Sequence, residues 1–131
     1  QEYVVFYGTR LGNELDELYE NMDAGMAAFG VYKEKFSKLS TIKAREYLAK
    51  GLPVILGAED NLFQDDNCEY GLMFANNPTT VEIDKIISYL DKIYSNKSRM
   101  TVCKEIREFA YRNIDNTVTL LPILNYIESS I

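Results

Sequence analysis

Apolar positions in this chain fall into two kinds of block: short unbroken runs, and longer stretches in which apolar residues return every three or four places. The first run, Tyr3-Val4-Val5-Phe6-Tyr7, is β-branched and aromatic and is closed by Gly8, which predicts a buried strand. Leu11, Leu15, Leu18 and Met22 then recur at helical spacing, with Glu14, Asp16, Glu17 and Glu20 on the other face. Ala24-Gly25-Met26-Ala27-Ala28 predicts a second strand, of small residues, beside which a loop can lie close. Phe29 to Leu39 is polar, basic and aperiodic, and predicts a loop at that strand's carboxyl end, where open α/β sheets bind ligands. A helical pattern capped by Ser40 runs to Gly51, which sits where a left-handed residue stops a helix. Pro53 then opens Val54-Ile55-Leu56, the unbroken apolar run that a parallel strand covered on both faces requires.

The polar stretch from Glu59 to Glu69 predicts a mobile loop, and Gly71 to Phe74 a short last strand. Thr79 followed by Glu82 has the spacing of a capping box ahead of Ile83, Ile86, Ile87, Leu90 and Ile93, one stripe of an amphipathic helix. A further helix carries Val102, Cys103, Ile106, Phe109 and Ala110, and Asp115 caps a last one with Val118, Leu121, Leu124 and Ile127, which Pro122 would kink. This order predicts an α/β fold, a Rossmann-like, doubly wound parallel sheet with C-terminal helices. Tyr3–Tyr7, Ala24–Ala28 and Val54–Leu56 are expected as neighbouring parallel strands. With 131 residues, 47% of them apolar, the chain supports one core and is read as a single domain over 1–131.

Charge narrows the choice of ligand. The net charge of −6 argues against a general nucleic-acid binder, yet Lys33, Lys35, Lys38, Lys43, Arg45 and Lys50 face only Glu34 and Glu46 in one segment. A basic island in an acidic protein points to a discrete anionic ligand, with solvated lysines as the plainer account. Cys68 and Cys103 form no metal-binding or disulfide pattern, and are expected as reduced thiols of a cytoplasmic protein. With no histidine there is no His-based acid/base pair or His metal cluster, and no metal or cofactor is expected. No charged-then-apolar leader opens the chain and no apolar run approaches about 18 residues, so any membrane association is expected to be peripheral, at the inner face.

The start of the Ser40 helix lacks the acid that usually complements a helix N-terminus: the third position after Ser40 is Lys43, and Glu46 is the first acid. A Ser/Thr terminus with free amides and a nearby lysine is what a bound phosphate selects. The plainer account has Lys43 pointing to water and paired at i,i+3 with Glu46, worth about 0.2 to 0.5 kcal/mol.

From Ser40 to Val54, Ser-x-x-Lys-x-x-Glu-Tyr-Leu-Ala-x-Gly-x-Pro-Val closely resembles the donor-site signature of GT-B glycosyltransferases of the group 1, family-four type. Val5-Phe6-Tyr7-Gly8, the Leu15 to Tyr19 helix and Asp23-Ala24-Gly25 resemble that family's strand, helix and strand on the N-terminal side of the signature. Tyr70-Gly71-Leu72, the Thr79 helix and Ile114-Asp115 resemble its elements on the C-terminal side, with Asn116 where the family carries an aromatic residue. The resemblance implies a donor-binding domain for a nucleotide-diphosphate sugar, transferred without a metal to a glycan or lipid-linked acceptor in polysaccharide or glycoconjugate biosynthesis. The backbone amides of Ser40 and Thr41 would hold the diphosphate, Lys43 would meet its charge, and Glu46 would accept from the ribose hydroxyls. Gly30 and Lys38 are further donor-binding candidates. Lys38 stands eight residues before Glu46, where the family often has a second glutamate on the donor sugar, and Glu34 is the nearest substitute. The family's upstream β/α units and its acceptor domain have no counterpart here, and Arg10 does not match the family's arginine. The chain is therefore expected to be the C-terminal part of such an enzyme, with no catalytic residue of its own and no activity alone.

Two rivals belong to other classes. A receiver-like signalling domain needs clustered acids at the end of the first strand and an Asp after a middle strand, which Tyr7-Gly8-Thr9 and Phe29-Gly30 do not supply. The alternative is a noncatalytic α/β interaction domain whose basic loop binds an acidic partner.

Overall fold

The computed structural model describes residues 3–34, 38–64 and 68–130, with Lys38 described in its backbone only. Helix α1 (Asn13–Glu20) leads into strand β1 (Gly25–Ala27), and a 3-10 turn at Val31–Glu34 precedes the two-residue strand β2 (Lys38–Leu39). Helix α2 (Ile42–Lys50) feeds strand β3 (Val54–Leu56), followed by β4 (Glu59–Asp60), a 3-10 turn at Asn61–Phe63 and β5 (Gly71–Met73). Helices α3 (Ile83–Tyr94), α4 (Arg99–Asn113) and α5 (Asn116–Ser129) complete the chain.

The fold is α/β, built on a small parallel sheet with strand order β1-β3-β5. Gly25 lies opposite Val54 and Ala27 opposite Leu56, while Val54 lies opposite Gly71 and Leu56 opposite Met73. All of β3 is buried, as its unbroken apolar run predicted. Because α2 is the crossover from β1 to the parallel β3, it runs back against the strands and starts at their carboxyl ends. A second parallel pair, Lys38 with Glu59 and Leu39 with Asp60, lies at that same start.

Ala44 and Leu48 of α2, Val54 and Leu56 of β3, and Val102, Ile106 and Ala110 of α4 form the centre of the core, with Ala27, Phe63, Cys68 and Ile93 around them. Two glycines permit this closeness. At Gly25 a Cβ would stand 2.3 Å from the Tyr47 ring, so only glycine lets α2 lie this near β1. Gly51, at φ 83°, takes the left-handed conformation that ends α2, and its amide returns to the Leu48 carbonyl at 2.9 Å. Around the core, Lys50 ties α2 to Asp16 of α1 at 2.6 Å, and the Tyr94 hydroxyl donates to the Asp23 carbonyl at 2.9 Å.

Several expected elements differ. Tyr3 to Tyr7 is no strand and all five side chains are exposed. Its composition signals a preference for burial, but β1 has β3 on one side and this run is not laid along the other, so no ladder forms. Helix α2 is capped by Thr41 rather than Ser40: pairing of Leu39 with Asp60 keeps the chain extended, and Thr41 at ψ 133° takes the Ala44 amide on Oγ1 at 3.3 Å. The Thr79–Glu82 capping box does not form, because Asn77 Oδ1 captures the Thr79 amide at 2.9 Å and α3 begins only after Glu82. The Glu59–Glu69 loop contains β4, a 3-10 turn and buried Asp60, Phe63 and Cys68, with 65–67 outside the described residues.

Asp115 caps α5 as expected, its Oδ1 accepting from the Thr117 amide at 2.9 Å, and Pro122 lies within the helix. No side chain of α5 is buried. Both cysteines are free thiols. Among the described residues, no helix is long and apolar enough to cross a membrane.

Core and periphery should therefore respond differently to truncation. Leu48→Ala, at a side chain with 0% exposure, is expected to cost about 2 to 5 kcal/mol in urea denaturation, whereas Leu124→Ala, at 52% exposure on α5, should cost about 0.5 kcal/mol or less.

Candidate nucleotide-binding site at the start of the second helix

The acid missing from the first turn of α2 is supplied from elsewhere in the chain. Asp60, the last residue of β4, is fully buried, and its carboxylate accepts from the Thr41 amide at 3.4 Å and the Leu62 amide at 3.0 Å. Arg45, one turn into α2, faces it with a two-pronged contact, NH2 donating to Oδ1 at 2.7 Å and NH1 to Oδ2. Arg45 also reaches the Thr41 carbonyl at 3.3 Å. A buried carboxylate is tolerable only with this many donors, and here it complements the helix dipole as well.

Beyond the Thr41 amide, the next two amides of α2 stay open. Ile42 and Lys43 have no backbone acceptor among the described residues, while the Ala44 amide is taken by Thr41 Oγ1. Ile42 is 85% exposed, so this terminus meets solvent at the carboxyl edge of the sheet rather than lying under another helix. Ser40 is exposed and just outside the helix.

Lys43 and Glu46 come together, joined by a residue that sequence reasoning did not single out. The Lys43 ammonium stands 3.1 Å from Glu46 Oε2, and Tyr19 of α1 donates its hydroxyl to Glu46 Oε1 at 2.9 Å while accepting from Lys43 at 3.2 Å. Tyr19 packs edge-on against Tyr47 at 5.9 Å, and Lys43 sits 5.9 and 5.4 Å from the two ring centres. Burial pushes the Tyr19 phenol up, reinforced by its hydrogen bond to Glu46. The bond to Tyr19, ahead of that to Glu46, raises Lys43 against the effect of desolvation. Desolvation works to raise Glu46, but the hydrogen bonds from Tyr19 and Lys43 outweigh it and the carboxyl falls below its ordinary value.

Glu46 also borders a cleft of about 460 Å³ between α2 and the end of α4, with Ile42, Arg45 and Ala49 on one side and Arg107, Tyr111 and Ile114 on the other. Gly30 is not part of it. That residue lines a smaller cleft of about 220 Å³ where β1, β3 and β5 end, beside Phe29, Gly57 and Phe74. Lys38 lies on β2, its side chain outside the described residues.

The helical half of the basic island is neutralised by the chain itself: Lys43 pairs with Glu46, Arg45 with Asp60 and Lys50 with Asp16. Two of these acids lie outside the segment, which is why local counting overstates its charge. Asp60 and Tyr19 are the two residues of this arrangement that the sequence does not single out. The sign of Asp60 was the acid-free first turn of α2 beside a polar segment that comes after a buried strand; Tyr19, at i,i+4 from Leu15, carried only a helix-face signal. Neither cysteine joins the site. Burial pushes the Cys68 thiol up to about 11, which leaves it protonated at neutral pH, and the Cys103 thiol donates to the Lys50 carbonyl at 3.6 Å. No protein-family profile, curated protein or solved structure matches this chain.

Removing the Asp60 carboxylate strands Arg45 and two amides. Asp60→Ala is expected to cost about 3 kcal/mol in urea denaturation, the lower end for a broken buried pair, because the Arg45 side chain is 24% exposed. The Tyr19-Lys43-Glu46 cluster gives the stability curve two limbs. Glu46 is depressed, so its contribution is present above the ordinary glutamate value and is lost as pH falls through the lowered one. Lys43 and Tyr19 are raised, so theirs is present below their ordinary values and is lost as pH climbs through the raised ones. Urea midpoints measured from pH 3 to 11 should therefore show a shallower acid limb in Glu46→Gln than in the wild type.

Proposed function

We propose that this chain is a donor-binding domain of a GT-B glycosyltransferase of the group 1, family-four type, its sheet part of a Rossmann-like, doubly wound domain. It would bind a nucleotide-diphosphate sugar for transfer to a glycan or lipid-linked acceptor. The observation that carries the proposal is the meeting, within the fifteen-residue signature, of open helix amides, the Lys43 ammonium and the Glu46 carboxylate at the sheet's carboxyl edge. Free amides and the positive end of α2 suit a diphosphate, and a carboxylate one turn on suits the ribose hydroxyls.

The proposed contacts move one residue along from those the signature alone suggests. Asp60 already holds the Thr41 amide, so the diphosphate would lie on the amides of Ile42 and Lys43. The Lys43 ammonium has three donors and engages two oxygens, which leaves one for a phosphate oxygen. In the transfer, the acceptor oxygen bonds to the anomeric carbon as the bond from that carbon to the diphosphate breaks, and the acceptor's proton passes to a base outside this chain. Charge growing on the departing diphosphate would be met by the amides and Lys43. Positioning of the acceptor and exclusion of water fall to the rest of the enzyme, so the isolated chain binds without catalysing. The internal pairing of Lys43, Arg45 and Lys50 leaves the rival interaction-domain account resting on the loop bases Lys33, Lys35 and Lys38 alone.

Calorimetric titration with UDP, GDP, dTDP and ADP tests the proposal. One of them should bind, and Glu46→Gln should weaken that binding about tenfold, the scale of one charge-assisted hydrogen bond. In a full-length parent enzyme Lys43→Ala should lower turnover more than substrate binding. No binding by the wild type, or unchanged affinity in Glu46→Gln, would remove the proposal; so would transfer by the isolated chain remove its inert-domain part.

A further inference from the structure

We infer that the cleft between α2 and α4 binds a nucleobase and selects guanine through Arg107, an inference whose diphosphate end rests on the nucleotide reading above. The cleft measures about 460 Å³, a size usual for small-ligand sites, and is walled by one stripe from each helix. Ile42, Arg45 and Ala49 of α2 face Arg107, Ala110 and Tyr111 of α4, each set at helical spacing. The helices run antiparallel: the Cys103 thiol near the start of α4 reaches the Lys50 carbonyl at the end of α2, while Ile42 at the start of α2 shares the cleft with Ile114 just after α4. Ile42 therefore stands at one end of the cleft, where the α2 amides are open, and Ala49 with Arg107 at the other. From Ile42 to Ala49 the helix rises about 10 Å, which matches the reach from a nucleotide's diphosphate to its base.

Arg107 is the charged group of this cleft that has no partner among the described residues, and it is exposed. Arg45 is committed to Asp60 and the Thr41 carbonyl, Glu46 to Tyr19 and Lys43, and Asp115 to the Thr117 amide and hydroxyl at the cap of α5. A guanidinium has five donors and no acceptor, so the base that satisfies it presents two adjacent acceptors. Guanine does so with O6 and N7, which an arginine fork meets bidentately; adenine places an amino donor beside N7, and uracil and thymine carry an N–H beside O4. The Tyr111 ring, one turn from Arg107 and 71% exposed, offers a stacking face, and Ile42, 85% exposed, gives apolar cover toward the phosphate end. An apolar side chain from a partner protein would cover the same walls but leave Arg107 without an acceptor.

The test is calorimetry of the 131-residue chain with GDP, ADP, UDP and dTDP, beside 15N amide spectra recorded with guanosine and with inorganic pyrophosphate. GDP should bind about tenfold more tightly than ADP, within the range of one bidentate arginine contact. Arg107→Ala should remove that preference while the pyrophosphate shifts of the Ile42 and Lys43 amides stay. Tyr111→Ala should weaken every nucleotide about fivefold, the lower end for one stacked base, and Tyr111→Phe should bind as the wild type does. Both side chains are on the surface, so neither alanine variant should disturb folding. Guanosine, which has no phosphate, should shift the Ala49, Arg107 and Tyr111 amides. Those shifts, with none from pyrophosphate at the start of α2, would support the base site and strike the diphosphate reading alone. Nucleotide binding at the α2 amides that neither alanine variant alters, or a preference for another base, would overturn the base site and leave that reading standing. No response to guanosine or to any nucleotide would overturn both.

Discussion

The contact on which the arrangement depends is the buried Asp60 carboxylate, held between the first amide at α2's start and the guanidinium of Arg45. A charge with no exposed surface survives only because Thr41, Leu62 and Arg45 together replace its water. Those donors come from the start of α2 and the turn after β4, so the same contact that satisfies the charge also fixes where α2 begins. Pairing of Leu39 with Asp60 then forces the extended entry that makes Thr41 the cap. The next strand of the sheet, β3, is set by the length of α2 and by Gly51 at its end. Helix start, sheet edge and neighbouring turn thus share one electrostatic solution.

That solution also shapes the exposed end of α2. An anion supplied by the chain occupies the deepest position at the helix N-terminus, and the two amides beyond it remain open to solvent. The positive end of α2 is stabilised without being used up. One turn further on, Lys43, Glu46 and Tyr19 form a second polar cluster in which all three side chains bond one another. Polar groups locked in this way are organised before any ligand arrives, which reduces the entropy lost on binding.

How much the sequence disclosed depended on how local each signal was. The β3 run, the Gly51 stop and the parallel pairing of the small-residue strand with β3 were legible, because unbroken apolar composition and a glycine at a helix end act within a few residues. The Tyr3–Tyr7 run misled because β-propensity reports a taste for burial and says nothing about whether a neighbour is present. Caps were misplaced where another side chain competed: Asp60 and the β2 pairing at Ser40, and Asn77 at Thr79. In the site, Lys43 and Glu46 were legible from i,i+3 spacing, whereas Asp60 and Tyr19 act across 15 and 27 residues from their partners, beyond any periodicity.

An amide-resolved 15N NMR titration of the chain with the nucleoside diphosphate that binds, chosen from UDP, GDP, dTDP and ADP, tests the central claim most directly. The account predicts that the Ile42 and Lys43 amides move most and that the Thr41 amide, already held by Asp60, moves little. Shifts confined to Phe29, Phe74 and the other residues around the 220 Å³ cleft, with α2 unchanged, would contradict it.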